Sequence, residues 1–534
     1  MGQILIVLEA LTGWLLLTAA LLACVSRIGR TWLRRTLLVP LIAASFLLPA
    51  WFLALFIWIA TGYPAYISKA VGFAVAAGAF LVAWIGVCWR GLRRGPLGAP
   101  RAGHWPRARL AIAFVVVAAL TMMTFWNQDL AARQELAVIR SEASAMAASV
   151  GPPRVPDSQN AALLYEQVAD LLSADKRAGG TLEPLLGRSF NRDDPKLRAL
   201  LAQHRSLIVL LRQAADRPAC NMGYWYSTPS VAMLLPQLNS FPDMARLLVH
   251  SAAVHSAEGR VVEAMKDLNA AFALGDRITD EPVLITVMVG VVIQAMAVRE
   301  LEAVLAESEP TAETLDVLRL SETMSFGRAL HRSFLMEEAI GLTAFTDNIT
   351  PDQLSTLTGG GSSRQPPMPS GLPSGPFYRV FFLAEDVAGY RAYLHRLQET
   401  ATRPYYAARN DLPREGPEVR NLGGLLARIL LPSLVQAAEH AADADAERRA
   451  CMLGLAMHRY RLEHGRFPDS LDKLAPDFVA IVPLDPFDGK PMRLARDAEG
   501  RLVVYSVGPD LSDDKGTPYD RETKKGDLTF RVGK

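Results

Sequence analysis

A chain of 534 residues with 56 Lys and Arg against 54 Asp and Glu carries a formal net charge of +2. That balance gives no basis for a nucleic-acid partner, and the length exceeds what one core serves, so roughly three or four units are expected. Half of the residues are hydrophobic and mean hydropathy is +0.16, an excess concentrated in the first 126 residues.

Four apolar runs open the chain: Ile4–Val25, Leu37–Ala60, Ala70–Trp89 and Leu110–Trp126. Each approaches the ~20 residues that cross ~30 Å of hydrocarbon, the last being the shortest. The first run lacks a basic n-region and a small-x-small cleavage site, so it reads as a span and not as a removable signal. Arg27, Arg30, Arg34 and Arg35 lie in the first connection, Lys69 alone in the second, and Arg90, Arg93, Arg94, Arg101, Arg107 and Arg109 in the third. By the positive-inside rule, connections one and three face the cytoplasm and everything after Trp126 is extracytoplasmic. The span interiors hold one ionisable residue, Glu9 near the outer end of the first, which argues against an ion pathway. Pro40 and Pro49 kink the second span. Residues 1–126 thus read as a four-span anchor in the bilayer of a bacterial cytoplasmic membrane.

Four cysteines do not make a disulfide framework at this length. Cys24 and Cys88 sit at span ends; Cys220 and Cys451 fall in the later part. They read as buried free thiols, with a Cys220–Cys451 disulfide as the alternative outside the cytoplasm.

Residues 127–355 follow a helical pattern. Leu130–Ala148 reads as an amphipathic stalk, broken by GPPRVPDSQN (151–160) because adjacent prolines cannot continue a helix. Either Asp157 or Ser158 caps the next helix, and one further helix is expected over Pro195–Ala215 after a capping Asp. The aromatic run Tyr224-Trp225-Tyr226 is a candidate interaction surface, against the alternative that it packs a loop onto the body. In Met244–Leu274, one amphipathic helix ends near Glu258-Gly259 and a second presents Ala264, Leu268 and Ala271 on one face. This unit resembles a single tetratricopeptide-type hairpin, without further copies to stack on. Glu281–Leu305 is apolar enough to pass for a span but is bounded by charges, and reads as a buried core helix. Residues 356–376, rich in Gly, Ser and Pro, read as a flexible linker. A helical continuation occupies 377–440.

Chemistry-bearing patterns are sparse. His250 and His255 are five apart, which is neither helical spacing that puts two ligands on one face. His331 with Glu337-Glu338, and His458 with Glu463-His464, are the other clusters. HExxH, CxxC, GxSxG and phosphate-loop motifs do not occur. No catalytic residue is assigned.

In residues 441–534 a helix ends at His464-Gly465, Pro468 follows, and Asp469 or Ser470 caps a short helix around Leu471–Leu474. Leu484-Asp485-Pro486-Phe487 and Asp488-Gly489-Lys490 read as turns, Met492–Arg496 and Leu502–Ser506 as a hairpin, and Phe530 and Val532 as a last strand. This order resembles the globular part of the major pseudopilin of bacterial type II secretion systems. The resemblance implies a small α+β fold and a Ca²⁺ site in the loop 508–527, matched here by Asp510, Asp513, Asp514 and Asp527; the alternative is a solvated acidic loop. A pseudopilin, however, starts with its apolar helix and a prepilin cleavage motif. Here the corresponding stretch, with Leu430-Leu431-Pro432, is internal and too short to span, so a borrowed domain is expected and not a filament subunit.

The fold class expected is mainly α: a four-helix transmembrane anchor, an extracytoplasmic α-helical body and a small C-terminal α+β pseudopilin-like domain. The functional expectation is a non-enzymatic, membrane-anchored scaffold or interaction protein of the cell envelope. The alternatives are an accessory of type II secretion or a pilus-like assembly, docking to envelope or secretion-system proteins, and an enzyme whose site converges only in three dimensions.

Overall fold

The computed structural model describes residues 12–14, 16–18, 21, 105–180, 182, 194–223, 238–320, 325–346, 376–412 and 422–533. Apart from a few helical positions between Thr12 and Leu21, the first three expected spans lie outside the described residues, as do Cys24, Cys88, the linker up to residue 375 and Tyr224-Trp225-Tyr226. The chain is mainly helical, with one small three-stranded sheet near its C-terminus. Two compact units divide it: residues 1–141, 344–393 and 416–430 in one, and residues 142–343, 394–415 and 431–534 in the other.

The fourth apolar run begins α1, an unbroken helix over Trp105–Val150 that also contains the expected stalk. It ends where Gly151-Pro152-Pro153 removes two backbone donors. In the first unit, Asp129 on this helix pairs with Arg133 at 2.8 Å and with Arg379 at 2.7 Å. Arg379 lies on α10 (Pro376–Phe381). The next helix, α11 (Leu383–Ala401), buries Tyr390 edge-on to Phe345 with ring centroids 5.9 Å apart.

The second unit begins with α2 (Ala162–Arg177), and its cap differs from expectation. Neither Asp157 nor Ser158 caps it; both lie in a 3₁₀ turn, and Asn160 Oδ1 accepts from Ala162 N–H at 3.1 Å. The single helix expected over 195–215 is two: α3 (Pro195–Gln203), capped by Asp194, and α4 (Arg205–Ala215). An unbroken helix would set His204 on the apolar stripe of Leu197, Leu201 and Ile208. After the turn at His204, α4 buries Leu207, Ile208, Leu211 and Ala214.

The hairpin is α5 (Ser240–Ala257) and α6 (Val261–Ile278). Gly259 turns at φ +73°, with Arg260 N–H returning to the His255 carbonyl at 2.8 Å, a Schellman closure that calls for glycine. Ala264, Leu268 and Ala271 are fully buried on the expected face. Against this pair lies α7 (Leu284–Glu307), whose inward face carries Val287, Ile293 and Leu301. Among the described residues it is the one helix long and apolar enough to cross a membrane by length and composition. It nevertheless buries Gln294 and Glu300 and packs between protein elements, which is core behaviour. It crosses α6 at Gly275 and Gly290: a Cβ on Gly290 would lie 2.3 Å from Thr279 Cγ2 and 3.0 Å from the Gly275 oxygen.

After α8 (Ala312–Asp316), α9 (Phe326–Thr346) and the short α12 (Tyr405–Ala408) comes α13, a helix over Leu422–His464 closed by Gly465 at φ +72°. The boundary expected at 440/441 falls inside this helix. Ser470 caps the following 3₁₀ turn, accepting from Asp472 N–H. Strands β1 (Arg493–Arg496), β2 (Leu502–Ser506) and β3 (Leu528–Val532) pair antiparallel in that order, with Leu494 opposite Val504 and Val504 opposite Phe530.

The C-terminal segment is not set apart by a core of its own. One hydrophobic cluster runs from Tyr165 and Leu172 through Leu268 and Leu301 to Met457, Val504 and Phe530. Phe530 reaches α13 at Gly454, where an added Cβ would meet its ring at 2.4 Å. Buried Arg448 on α13 joins α6 and α7: its guanidinium donates to both Asp276 oxygens at 3.1 Å and to Gln294 Oε1 at 2.9 Å.

Gly290→Ala should therefore lower the stability of the detergent-solubilised chain by about 1–3 kcal/mol, because overpacking at the crossing outweighs the ~1 kcal/mol helix-propensity gain. Chemical denaturation checks this. A neutral or stabilising result would mean the two helices part without cost.

Candidate functional site: the acidic loop and the buried polar nodes

The loop 508–527 is built on carboxylates that accept from its own backbone. Asp510 Oδ1 accepts from Ser512 N–H at 3.0 Å, and its Oδ2 from Gly526 N–H at 3.1 Å. Asp513 accepts from the Tyr505 hydroxyl at 3.0 Å and from Lys515 N–H at 3.2 Å, and its second oxygen lies 3.3 Å from Lys515 Nζ. Asp527 is fully buried; Oδ2 accepts from Gly516 N–H at 2.7 Å and Oδ1 from Asp514 N–H at 3.4 Å. Gly526, at φ +105°, brings the chain back so closely that a Cβ would stand 2.6 Å from the Pro518 oxygen. Asp510, Asp513, Asp514 and Asp527 thus share one loop, but among the described residues no three His, Cys, Asp or Glu side chains converge as a metal-holding group.

The turn motif that precedes the sheet is organised by Asp485, which is fully buried. Its oxygens accept from Ser506 Oγ at 2.7 Å, Phe487 N–H at 2.9 Å, Val507 N–H at 2.9 Å and Arg493 Nη1 at 3.1 Å. Four donors on one carboxylate lock the Leu484–Lys490 loop onto β2. Phe487 is thereby seated among Ala442, Ala446, Val507 and Leu528, edge-on to Tyr405 at 5.4 Å.

The densest polar node sits on the hairpin and was not legible as a motif. Asp267 on α6 is fully buried and collects Arg212 from α4 at 2.6 Å, Ser251 Oγ at 2.7 Å and His255 Nδ1 at 2.8 Å. Arg212 also donates to Glu263 Oε2 at 2.5 Å. A Ser, a His and an Asp meet here, but Ser251 and His255 share one Asp267 oxygen. The hydroxyl proton is donated to the carboxylate, so the serine is not poised on the imidazole as an activated nucleophile would be. The arrangement fastens α4 to the hairpin. His250 is buried separately on α5.

The other histidine clusters disperse as well. His331 Nδ1 lies 3.2 Å from the Gln398 carbonyl oxygen, while Glu338 takes the Gln398 amide at 2.7 Å and His395 Nε2 at 3.4 Å. His464 stacks on Tyr460 with centroids 4.0 Å apart. His458 is buried edge-on to Phe467, and its Nε2 has no hydrogen-bond partner among the described residues. Cys220 and Cys451 are both free and buried, and burial pushes both thiols up, the latter to about 12. The chain entering the aromatic run is anchored: Met222 N–H donates to buried Glu281 at 2.7 Å, and Asn221 donates to the carbonyls of Pro152 and Pro153.

Compared with protein-family models, with curated proteins and with solved structures, the chain matches none.

Two buried groups titrate in opposite senses. Burial pushes His458 down to about 4, so between about pH 4 and 6.5 the unfolded chain binds the extra proton and stability is lost as pH falls. Burial pushes Asp527 up to about 6 against the Gly516 and Asp514 amides, so between about pH 4 and 6 the folded chain holds the extra proton and stability is lost as pH rises. For His458 the effect is about 3 kcal/mol at 1.36 kcal/mol per unit, and in the wild type the two effects oppose one another. The stability difference between wild type and His458→Gln should climb with pH across this range, and that between wild type and Asp527→Asn should fall. Denaturation at pH 4, 5, 6 and 7 measures both; flat differences would contradict the burial argument.

Proposed function

We propose that this chain is a non-enzymatic, membrane-anchored scaffold of the bacterial cell envelope, holding its helical body and C-terminal α+β segment outside the cytoplasmic membrane. The observation that carries this reading is the apolar band on α1. Ile112, Val115, Leu120, Met122, Met123 and Trp126 are 45–69% exposed, and the run Leu110–Trp126 contains no charged residue. At ~100° per residue these positions fall within about half the circumference of the helix, one continuous apolar face. At ~25 cal/mol per Å² such a surface is stable against lipid and costly against water. Just past Trp126 the character changes, with Asp129 taking Arg133 and Arg379; the Arg379 guanidinium holds its carboxyl below the usual range. The arginine asymmetry of the connections supplies the orientation.

A cysteine introduced at Ser362 should react with a membrane-impermeant thiol reagent in intact spheroplasts, whereas one introduced at Gly98 should react only after permeabilisation. The reverse pattern would overturn the orientation, and labelling of both in intact cells would overturn the anchor.

A second reading, an accessory of type II secretion or a pilus-like assembly, is supported by the order of the C-terminal elements. A long helix closed by Gly465, a capped 3₁₀ turn and a three-stranded antiparallel sheet follow one another as in the pseudopilin resemblance. Photocrosslinkers placed at exposed Ile481 and Leu511 should then capture filament subunits in secretion-competent cells, and no such adduct would form on a scaffold serving another assembly. Calcium belongs to this reading. Binding would require Asp510 and Asp527 to turn from amide donors toward one centre. Millimolar Ca²⁺, but not Mg²⁺, should then raise the melting temperature of the full chain, and Asp510→Ala should remove the rise.

A further inference from the structure

A cavity of about 260 Å³ lies in the second unit between the start of α9, the junction of α11 with α12, and the middle of α13. Its inner wall is apolar: Leu330 and Phe334 from α9, and Ala438, Ala441 and Ala442 from α13, which present only methyl groups and so leave the space open. Two tyrosines form another side. Tyr405 is held edge-on to Phe487, and the Tyr406 ring rests on Gly489, where an added Cβ would lie 2.8 Å away. Both rings are therefore fixed by the same loop that Asp485 locks to the sheet, so this wall is set before anything binds.

The rim is cationic. Arg328, Arg403 and Arg449 all line it. Arg403 pairs with Asp411 at 2.8 Å, and Arg449 donates to the Leu484 carbonyl at 2.5 Å and acts electrostatically on Asp445. Arg328 is exposed. The acid lining the cavity, Asp445, is occupied in accepting from Phe326 N–H at 3.1 Å, and burial raises its carboxyl. The site thus combines an apolar, aromatic interior with an excess of guanidinium at its mouth.

We propose that this cavity binds a small carboxylic acid bearing a single aromatic ring, with the ring between Phe334 and the two tyrosines and the carboxylate at the arginine rim. Size sets the ring count: an apolar cavity of about 150 Å³ holds one benzene ring, so this one takes a ring and a short acidic arm but not a fused polycycle or a nucleotide. Ring pairs prefer the edge-to-face contacts that the fixed tyrosines offer. Guanidinium donors match a carboxylate in two-point geometry, which sets the sign of charge.

The test is calorimetric titration of the full chain in non-ionic detergent with 3-phenylpropanoate, the neutral 3-phenylpropan-1-ol and 3-phenylpropylammonium. The acid should bind at least about tenfold more tightly than the alcohol, the equivalent of losing one charge-assisted hydrogen bond, and the ammonium should bind most weakly. Arg328→Gln should weaken the acid by about tenfold and leave the alcohol unchanged. Ala441→Leu, which fills the void, should abolish binding of both while the thermal melt is kept, and it subtracts partition into the micelle. Should Ala441→Leu fail to fold, the exposed Arg328→Gln decides. Equal binding of acid and alcohol, binding that survives Ala441→Leu, an Arg328→Gln variant with unchanged affinity for the acid, or no binding by the wild type would each overturn the proposal.

Discussion

The second unit depends on one buried guanidinium. Arg448 projects from α13 into the crossing of α6 and α7, where it donates to both oxygens of Asp276 and to Gln294, whose own amide returns to Asp276 at 2.6 Å. A charge with 3% side-chain exposure is tolerable only with such compensation. Removing one partner would leave the other uncompensated, at a cost of about 3–5 kcal/mol. The geometry also explains the small residues nearby. Gly275 and Gly290 bring α6 and α7 close enough for Gln294 to reach across, and Gly454 admits the Phe530 ring against α13. The charge sets where the helices meet, and the glycines set how closely.

This bears on what the C-terminal segment is. A transplanted globular module would carry its own core and tolerate excision. Here β2 and β3 place Val504, Phe530 and Val532 in the same cluster as Leu268 and Leu301, and α13 belongs to both parts. The small separate patch of Ala442, Ala446, Phe487, Val507 and Leu528 serves to seat the turn loop.

What could be read from sequence divides along physical lines. Local signals carried well: Gly259 and Gly465 as helix ends, the β1–β2 hairpin and Ser470 as a cap are each decided by a few adjacent residues. The hairpin face at Ala264, Leu268 and Ala271 followed from its period. The break at His204 escaped because no Gly or Pro marks it. The Asp267 node escaped because its partners, Arg212, Ser251 and His255, come from two other helices. One signal was available: Asp267 falls on the same stripe as Ala264 and Ala271, and a carboxylate on a small-residue face needs donors from elsewhere. The cavity, too, is assembled from separate segments spread between Ser325 and Pro486, with nothing in any one of them to announce it.

The distribution of satisfied charge argues against chemistry at the nodes themselves. Asp267, Asp276 and Asp485 each spend both oxygens on donors supplied by the fold. A general base needs the opposite: a group held by one neighbour and left available on its other side. Among the groups around the cavity Arg328 meets that description better than the carboxylates do, because it faces solvent. Arginine cannot act as a base in a protein. What the arginines around the cavity can supply is charge-assisted donors, which suit them to hold an anion.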